Sequence, residues 1–427
     1  MSFTEALRYL DGHINLEARA GYFEGLSLNS MHSLMDLSGD PHQAFRSIHV
    51  TGTNGKGSTA TMIARLLQAQ GLRVGRYSSP HLSSITERIE IDGEPVSREI
   101  FTEEVLALAA VAELSEYPAS YFELLTATAY RIFAAEAVEV AVVEVGVLGR
   151  FDATNVIDAD VAVLTNIGTD HTTQEGDWRR DIAGEKAGIA KPSSTFVVGE
   201  TDPDLLDIFE AEGAEKLLLA DRDFELVDDQ PAVGGRLVDI RTERGLYEEV
   251  FVSAHGAHQS INASVALMAT EAFFDSALPD DVVAEAFGEL VLPGRVEVVA
   301  KEPTIVLDGA HNPEAAQALD LTLATAFGAA SPRVFVLATL EPREPAEFIA
   351  DAGIGPGDYV VATPVNSPRS ISPERIAEAA TAAGATAEAA SDVEDALDRA
   401  RILAGVEGLV VVTGSLYAVG EARSELV

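Results

Sequence analysis

Apolar runs and helical patterns alternate along this chain of 427 residues. The runs at 138–145 and 159–165 are almost entirely apolar, so they predict strands that are covered on both faces. Much of the surrounding sequence has helical periodicity instead. The predicted helices of this region span 59–69, 98–114, 122–137, 260–274 and 280–287, and further short strands are predicted at 48–50 and 73–77. Strands that alternate with helices indicate a mostly parallel α/β sheet.

A second alternating series follows Leu292-Pro293-Gly294-Arg295, where we place a domain boundary. The predicted domains are therefore 1–292 and 293–427. The second series has predicted strands over 304–307, 333–337, 359–363 and 408–413, and predicted helices over 313–324, 373–383 and 393–403. An Ala-rich run at 377–390 has the composition of a helix. Between the two series, residues 196–252 show short strands and polar turns, which predict an antiparallel edge region.

The segment at 48–58, IHVTGTNGKGS, leads from the first predicted strand into a helix through a glycine-rich turn. Backbone N–H groups in such a turn bind phosphate together with the helix N-terminus. Lys56 supplies a compact charge for the outer phosphates, and Ser58 can reach a magnesium ion or a phosphate oxygen. The turn is shorter than a Walker A motif, and a turn without any ligand is the alternative. The predicted nucleotide contacts here are Thr53, Asn54, Gly55, Lys56, Gly57 and Ser58.

The charge balance is strongly acidic, with 69 Asp and Glu against 29 Lys and Arg and a formal net charge of −40. Binding to nucleic acid needs a basic surface, so we do not expect nucleic acid as a partner. The acidic residues are scattered over the whole chain, and salt screens their mutual repulsion. We therefore expect a protein adapted to a salt-rich cytoplasm, from a halophilic source.

Cysteine is absent, so the chain has neither disulfides nor a thiol nucleophile. Residues 1–11 carry early charges and no long apolar core, and they do not resemble a signal peptide. No run approaches the roughly 18 apolar residues of a membrane span. We expect a soluble, cytoplasmic protein that does not interact with membranes. The apolar content of 47% favours a globular fold.

Further polar clusters lie mainly at the ends of predicted strands, where open α/β sheets bind ligands. They are Ser78-Ser79-Pro80-His81, the segment 144–155, the segment 165–171, the segment 184–189 and the loop 308–313. Three of them also have a structural interpretation: a turn for Ser78–His81, a loop histidine for His171, and a solvated lysine for Lys186.

Two of these clusters carry a stronger expectation. Glu144 ends a buried strand, where a carboxylate is costly unless it meets a cation or hydrogen-bond donors. Magnesium binding is the prediction for Glu144, and a salt bridge to Arg150 is the alternative. Asp308 also ends a strand, and Pro313 is suited to the first turn of a helix, so the loop between them is expected to face a ligand.

In their order along the chain, these segments resemble the folylpolyglutamate synthase and dihydrofolate synthase family of the Mur ligase superfamily. The resemblance runs from about residue 40 to the C-terminus. It rests on TGTNGKGS at 51–58, SPH at 79–81, EVG and GR at 144–150, DATN at 152–155, TNI and DH within 165–171, EKAGI at 185–189, HQ and NA within 258–263, PGR at 293–295, DGAHNP at 308–313 and TGSLY at 413–417.

The resemblance implies a fold and an activity. The fold is α/β, with an N-terminal P-loop ATPase-like domain that has a mostly parallel sheet and a smaller C-terminal Rossmann-like domain. The activity is ATP-dependent joining of L-glutamate to a pteroate or folate carboxylate through an acyl phosphate. Another Mur-superfamily ligase, an ATP-binding module without ligase turnover, and a plain ATPase are the alternatives.

The resemblance also implies site residues and cofactors. Lys56 and the P-loop amides would hold the β- and γ-phosphates of ATP. Ser79 and Glu144, with Ser58, would bind a first magnesium ion, and His171 with a carbamylated Lys186 would serve a second. The further nucleotide contacts would be Asn262, Arg295 and Asp308, and the residues near the incoming glutamate would be His311 and Ser415. Lys56, Glu144, His171, Lys186 and His311 are the residues expected to act in catalysis. ATP contacts on both domains would make domain closure a condition for chemistry.

The chain departs from the family pattern in three places. Leu148 stands where the family usually has glycine, and 340–344 replaces an Asp-Lys-Asp-like motif. The first forty residues match poorly, so dihydropteroate, a reduced folate or both remain open as acceptor. We expect a monomer, and whether it acts alone or is fused to or associated with another enzyme of folate metabolism stays open.

The acidic surface predicts that folding depends on salt. Dialysis from multimolar KCl to about 0.1 M salt lengthens the Debye length to about 10 Å and restores the repulsion between carboxylates. We expect loss of the fold, measured by circular dichroism across the dialysis series. A chain that stays folded at low salt would contradict the expected adaptation.

Overall fold

We describe the chain from a computed structural model, which covers residues 2–15, 27–169 and 176–427. His171, one of the predicted site residues, lies outside the described residues. The chain divides into two compact units. The first comprises Met1–Asp228, Val238–Phe251 and Ser260–Leu290, and the second comprises Asp229–Leu237, Val252–Gln259 and Val291–Val427.

The helices and strands up to residue 219 follow one another in an α/β pattern. In chain order they are α1 (Phe3–Asp11), α2 (Asn29–Leu37), β1 (Arg46–Thr51), α3 (Lys56–Ala69), β2 (Val74–Tyr77), β3 (Ile89–Ile91), β4 (Glu94–Pro95), α4 (Arg98–Ala112), α5 (Tyr121–Ala135), β5 (Val140–Glu144), β6 (Val161–Leu164), α6 (Trp178–Ala187), β7 (Thr195–Val198), α7 (Leu206–Ala211) and β8 (Lys216–Leu219). Short 3₁₀ turns lie at Pro41–Gln43, Ile85–Arg88, Ala153–Val156 and Pro203–Leu205.

The strands among these residues form an eight-stranded sheet in the order β4-β3-β2-β5-β1-β6-β7-β8. The six strands β2, β5, β1, β6, β7 and β8 run parallel to one another. At one edge, β3 pairs antiparallel with β2, and β4 pairs antiparallel with β3. In the centre, Val50 of β1 pairs with Glu144 of β5, and Thr51 pairs with Leu164 of β6. The loops that follow these three strands therefore emerge at one edge of the sheet, where ligands of open α/β sheets bind.

The middle of the chain has three longer strands and two helices, which are β9 (Glu225–Ala232), β10 (Gly235–Thr242), β11 (Gly245–Val252), α8 (Ala257–Phe274) and α9 (Asp280–Gly288). The strands form a three-stranded sheet in the order β11-β10-β9. Two-residue connections join them, and connections this short require antiparallel neighbours.

The C-terminal part again alternates strands and helices. Its elements are β12 (Glu297–Lys301), β13 (Thr304–Leu307), α10 (Pro313–Ala326), β14 (Arg333–Leu337), α11 (Pro345–Asp351), β15 (Tyr359–Ala362), α12 (Pro373–Ala382), β16 (Thr386–Ala389), α13 (Val393–Ala404), β17 (Leu409–Thr413) and α14 (Leu416–Leu426). They build a six-stranded sheet in the order β12-β13-β17-β14-β15-β16, in which all pairs except β12 with β13 are parallel.

Each unit has its own apolar core. In the first unit, buried side chains of α1, α2, α4 and α5 pack on one face of the eight-stranded sheet, and those of α6 and α7 pack around β6 and β7. In the second unit, α10, α11 and α12 pack on the six-stranded sheet. The α/β fold class expected from the sequence is confirmed.

Two local predictions were wrong. The antiparallel region predicted for 196–252 begins only at Glu225, because β7 and β8 belong to the parallel sheet. Each is reached through a connection that contains a helix, and such connections place strands parallel. The Ala-rich run at 377–390 is not one helix. Gly384 adopts a φ of +93°, this left-handed conformation ends the helix, and β16 follows.

In the ranges that the structure describes, no helix is long and apolar enough to cross a membrane.

Candidate active site

The P-loop joins β1 to α3 through a turn that requires glycine. Gly52 has a φ of +147°, and a Cβ there would lie 1.8 Å from Thr165 Oγ1. Gly55 has a φ of +83°, and a Cβ there would lie 2.4 Å from Asn262 Oδ1. Both positions therefore exclude a side chain by conformation and by space. Asn262, a predicted nucleotide contact on α8, lies directly against the loop.

The segment after β6 holds the P-loop in shape. The backbone N–H groups of Thr53 and Asn54 donate to the backbone carbonyl and to Oδ1 of Asn166, both at 3.0 Å. Thr165 Oγ1 donates to the Asn54 carbonyl at 2.6 Å, and the Gly168 N–H donates to Thr53 Oγ1 at 2.9 Å. The hydroxyl of Thr53 is thus engaged inside the loop.

Two lysine ammonium groups meet at one backbone carbonyl. Lys186 Nζ donates to the Gly52 oxygen at 2.8 Å, and Lys56 Nζ donates to the same oxygen at 3.0 Å and to the Thr53 carbonyl at 3.3 Å. Lys186 is only 4% exposed, so its interpretation as a solvated lysine was wrong. A pair of cations beside a helix N-terminus favours the binding of a multiply charged anion.

Glu144 lies against the first turn of α3, the helix that begins at Lys56. It is 5% exposed and accepts a hydrogen bond from the Ser79 N–H at 3.3 Å. A Cβ at Gly57 would be 3.5 Å from Glu144 Oε2, so the extra glycine brings the first turn of α3 against the carboxylate. Arg150 forms its ion pair with Glu212, so the alternative of a salt bridge between Glu144 and Arg150 was wrong.

The donors around Glu144 suit a hard cation. Ser58, Ser79 and Glu144 offer hydroxyl and carboxylate oxygens, which are the ligands that magnesium prefers. Over residues 2–15, 27–169 and 176–427, no group of three or more His, Cys, Asp or Glu could hold a metal ion by itself. A magnesium ion here would therefore depend on hydroxyl and phosphate oxygens as well as on Glu144.

The loop after Glu144 is tied to β1, the strand that carries the P-loop. Thr51 Oγ1 donates to the Leu148 carbonyl at 2.6 Å. Leu148, which replaces the glycine usual in the family, has a φ of +61° and a buried side chain. The left-handed conformation costs a leucine roughly 1–2 kcal/mol. Burial of its side chain, worth about 1.5–3 kcal/mol, offsets that cost.

A buried polar chain makes a second tie between the same strand and loop. His49 Nε2 lies 2.8 Å from Thr154 Oγ1, and that hydroxyl donates to Asp152 Oδ1 at 2.5 Å. The hydroxyl proton points to Asp152, so His49 donates through Nε2. The other oxygen of Asp152 accepts from the Val147 N–H at 2.9 Å. Burial lowers the pKa of His49 to about 3, and burial raises the pKa of Asp152.

The same loop also positions the helix that carries Lys186. The Arg150 N–H donates to the Glu185 carbonyl at 2.7 Å. A Cβ at Gly149 would be 2.8 Å from the carbonyls of Glu185 and Lys186, so this glycine allows the close approach. Residues 145–155 therefore connect the P-loop strand, the Glu144 strand and α6.

The Ser-Pro-His turn after β2 is also ordered. Arg88, which is 2% exposed, donates through Nε to His81 Nδ1 at 2.9 Å. The Glu87 carboxylate accepts the N–H groups of Leu82, Ser83 and Ser84. These bonds fix the backbone that presents Ser79 to Glu144.

In the second unit, the predicted residues lie in loops that follow β13 and β17. The two strands are neighbours and run parallel, so His311 and Ser415 emerge at the same edge of their sheet. His311 Nδ1 donates to the Gly309 carbonyl at 2.8 Å. Ser415 caps α14, since its Oγ accepts the N–H groups of Tyr417 and Ala418 at 3.1 and 3.3 Å.

Asp308 organises its own loop. Its two oxygens accept the N–H groups of Val296 and Ala310, each at 2.9 Å. Burial raises the pKa of Asp308, and nearby Arg295 opposes this shift. A Cβ at Gly309 would be 2.6 Å from a terminal nitrogen of Arg295, so the guanidinium lies against the loop. The nucleotide contacts predicted for Asp308 and Arg295 stay predictions.

Comparison with known proteins agrees with this architecture. Residues 50–270 match the family model described as Mur ligase middle domain, and residues 294–416 match Mur ligase, glutamate ligase domain. The dihydrofolate synthase/folylpolyglutamate synthase of Mycobacterium tuberculosis is 37% identical, over 93% of this chain and 89% of that protein. The chain belongs to the folylpolyglutamate and dihydrofolate synthases of the Mur ligase family.

Solved structures of such synthases share the fold. The folylpolyglutamate synthase of Mycobacterium tuberculosis complexed with ADP superposes with a TM-score of 0.91 at 36% identity, over 99% of this chain and 98% of that one. A bifunctional folylpolyglutamate synthase/dihydrofolate synthase with Mn, AMPPNP and L-glutamate bound gives a TM-score of 0.86 at 30% identity, over 100% and 98% of the two chains. The family and the ligase class predicted from the sequence are confirmed, whereas the halophilic source stays a prediction.

The hydrogen bonds from His49 through Thr154 to Asp152 predict that this synthase loses stability when the Thr154 hydroxyl is removed. Thr154→Val keeps the shape and leaves His49 and Asp152 each short of one buried partner, so we expect a loss of about 1–3 kcal/mol in the free energy of unfolding. Urea unfolding in concentrated KCl measures it. Thr325→Val is the matched control, because that exposed hydroxyl only donates within α10. Equal stability of the two variants would contradict the assigned role.

Buried His49 also predicts a pH dependence. Its pKa is about 3 in the folded chain against an ordinary value of 6.5, so the unfolded state alone takes up this proton as the pH falls from 6.5 towards 3. The free energy of unfolding therefore decreases over this window, by up to about 1.4 kcal/mol per pH unit. His49→Gln should make the slope of the unfolding free energy against pH shallower than in the wild-type chain, by the equivalent of one proton. Unfolding measured at each pH gives the slopes, and parallel slopes would overturn the assignment.

Proposed function

We propose that this synthase joins the amino group of L-glutamate to the carboxylate of a pteroate or folate, with ATP as the source of energy. The observation that carries the proposal is the convergence of Lys56 and Lys186 on Gly52, beside the buried Glu144. This centre has the charges needed to bring a nucleotide and a carboxylate together. The ADP- and AMPPNP-bound structures of related synthases support ATP as the nucleotide.

The P-loop binds the β- and γ-phosphates through the backbone N–H groups at the N-terminus of α3, since those of Thr53 and Asn54 donate to Asn166. An ammonium group has three donors, and Lys56 uses two of them on the carbonyls of Gly52 and Thr53. Its third donor is directed to the outer phosphates. Asn262, Arg295 and Asp308 are the further nucleotide contacts in this proposal.

Ser58, Ser79 and Glu144 would hold a magnesium ion, which supplies charge neutralisation on the phosphate and carboxylate oxygens. The manganese-bound related structure supports a divalent metal. A second ion at His171 belongs to the same proposal.

Carbamylation of Lys186 is the alternative state of this residue, in which the remaining N–H would still donate to the Gly52 carbonyl while Lys56 alone supplied the positive charge. Addition of carbon dioxide to the neutral amine, with loss of one proton, would convert a buried cation into a carboxylate ligand.

The chemical sequence follows from the poor leaving group of a carboxylate. Its oxygen attacks the γ-phosphorus, ADP leaves, and the resulting acyl phosphate has phosphate as its leaving group. The glutamate amine then attacks the acyl carbon, and a tetrahedral oxyanion collapses with loss of phosphate. Cations beside the P-loop stabilise the negative charge that develops in both steps.

The second unit supplies residues for glutamate. In the neutral ring of His311, the Nδ1–H donates to the Gly309 carbonyl and Nε2 is the basic nitrogen. His311 takes the proton that the glutamate ammonium loses before attack. Ser415 Oγ accepts two N–H groups, and its own proton remains for a glutamate carboxylate.

Incorporation of labelled glutamate in concentrated KCl with magnesium and ATP tests the proposal. Dihydropteroate and tetrahydrofolate are compared as acceptors. Product from dihydropteroate alone indicates a dihydrofolate synthase, and product from both indicates a bifunctional enzyme. No product from either, with ATP still bound, would contradict the proposed function.

Glu144→Gln provides the sharper prediction. The substitution keeps size and removes the buried charge, so turnover should fall by at least about 100-fold, as when one stabilising group of a transition state is lost. Glu289→Gln is the control, because Glu289 is an exposed carboxylate in the same unit. Near wild-type turnover of the Glu144 variant at saturating magnesium would contradict its role.

A further inference from the structure

Arginines of the second unit are generally paired with carboxylates, as expected in a chain with 69 acidic and 29 basic residues. The pairs within 4 Å in this unit are Arg236 with Asp229, Arg333 with Asp320 and Asp358, Arg375 with Glu344, Arg399 with Glu388, Arg401 with Asp398, and Arg423 with Glu297. Arg369 has no such pair with any carboxylate in the part of the chain that the structure describes. The charge of Arg369 is therefore not neutralised by a carboxylate within 4 Å among the described residues.

The backbone of Arg369 is held firmly. Its N–H donates to Ser367 Oγ at 3.3 Å, and its carbonyl accepts the Glu341 N–H at 2.8 Å. The side chain is half-buried. The loop after β15 therefore presents an arginine from a fixed backbone, which lowers the entropy lost when a ligand binds.

This loop lies at the same edge of the sheet as the loop that carries Ser415. The strands β17, β14 and β15 are consecutive neighbours in the sheet, so the ends of β17 and β15 are about 10 Å apart. A Cβ at Gly414 would lie 2.5 Å from the Ala338 carbonyl, and the Ile371 N–H donates to the Thr339 carbonyl at 3.1 Å. Ser415 and Arg369 thus flank the loop that begins at Ala338.

We propose that Arg369 binds one carboxylate of the incoming glutamate, with Ser415 at the other carboxylate and His311 at the amine of the same subsite. This inference rests on the proposed function and adds a residue to it. Glutamate carries two carboxylates, and the net charge of −40 repels it from the surface. A guanidinium that no protein carboxylate neutralises provides local compensation, and its planar fork matches a carboxylate in two hydrogen bonds.

The test is the Michaelis constant for glutamate in Arg369→Ala. A charged hydrogen bond is lost, so the constant should rise roughly 10- to 100-fold, while the constants for ATP and for dihydropteroate change less than about twofold. Arg399→Ala is the matched control, because it removes the same charge from an exposed ion pair in the same unit. Thermal unfolding of both variants in KCl checks that the fold persists.

Analogues identify the carboxylate that is bound. Glutamine lacks the γ-carboxylate, and the α-amide of glutamate lacks the other. Wild-type enzyme should discriminate against both, and Arg369→Ala should lose discrimination against one of them only. Arg369→Lys keeps the charge and should recover part of the affinity.

Three outcomes would overturn the inference. The glutamate constant of Arg369→Ala could equal that of Arg399→Ala. The effect could fall on a glutamylated acceptor and not on free glutamate. Arg369→Lys could be as impaired as Arg369→Ala, with lowered thermal stability in both, which would indicate a packing role. Absence of glutamate incorporation by the wild-type enzyme would instead count against the proposed function.

Discussion

The carbonyl oxygen of Gly52 is the point on which the candidate site depends. It accepts hydrogen bonds from both Lys56 and Lys186, which lie far apart in the sequence. The oxygen can take this position only because Gly52 lacks a side chain where Thr165 packs. Since Lys186 belongs to α6, whose end is held by residues 145–155, the P-loop, Glu144 and the second lysine form one connected unit. Local geometry therefore concentrates positive charge in a chain whose overall charge would repel its anionic substrates.

Much of the fold was predictable because its strands are buried on both faces. The strands at 304–307 and 333–337 have the predicted bounds, and most helix ends agree within two or three residues. Elements with weaker patterns were missed. The edge strand β12 is only partly buried, and the runs of β16 and α14 are short or rich in small residues. The end of α12 depends on one left-handed glycine, Gly384, whose helix-terminating effect outweighs the alanine-rich composition around it.

The site could be predicted in its parts but not in its connections. The glycine-rich turn, Glu144 and Lys186 carry recognisable patterns, whereas hydrogen bonds between distant segments leave no local signal. Asn166 and His49 were missed for this reason, although a histidine inside an apolar strand is a sign of a buried polar partner. At Leu148 the sequence carried a visible signal, but its structural consequence was not predictable. The sequence marked it as a departure from glycine, and only the backbone shows that it adopts a left-handed conformation, which favours glycine.

The central claim is that the acceptor carboxylate is activated by phosphoryl transfer, and an oxygen-transfer measurement tests it most directly. The acceptor is labelled with ¹⁸O in its carboxylate, and inorganic phosphate is analysed by mass spectrometry after turnover with ATP and glutamate. Because the C–O bond of an acyl phosphate breaks when the amine attacks, each phosphate released should contain one labelled oxygen. Amide product accompanied by unlabelled phosphate would contradict the central claim.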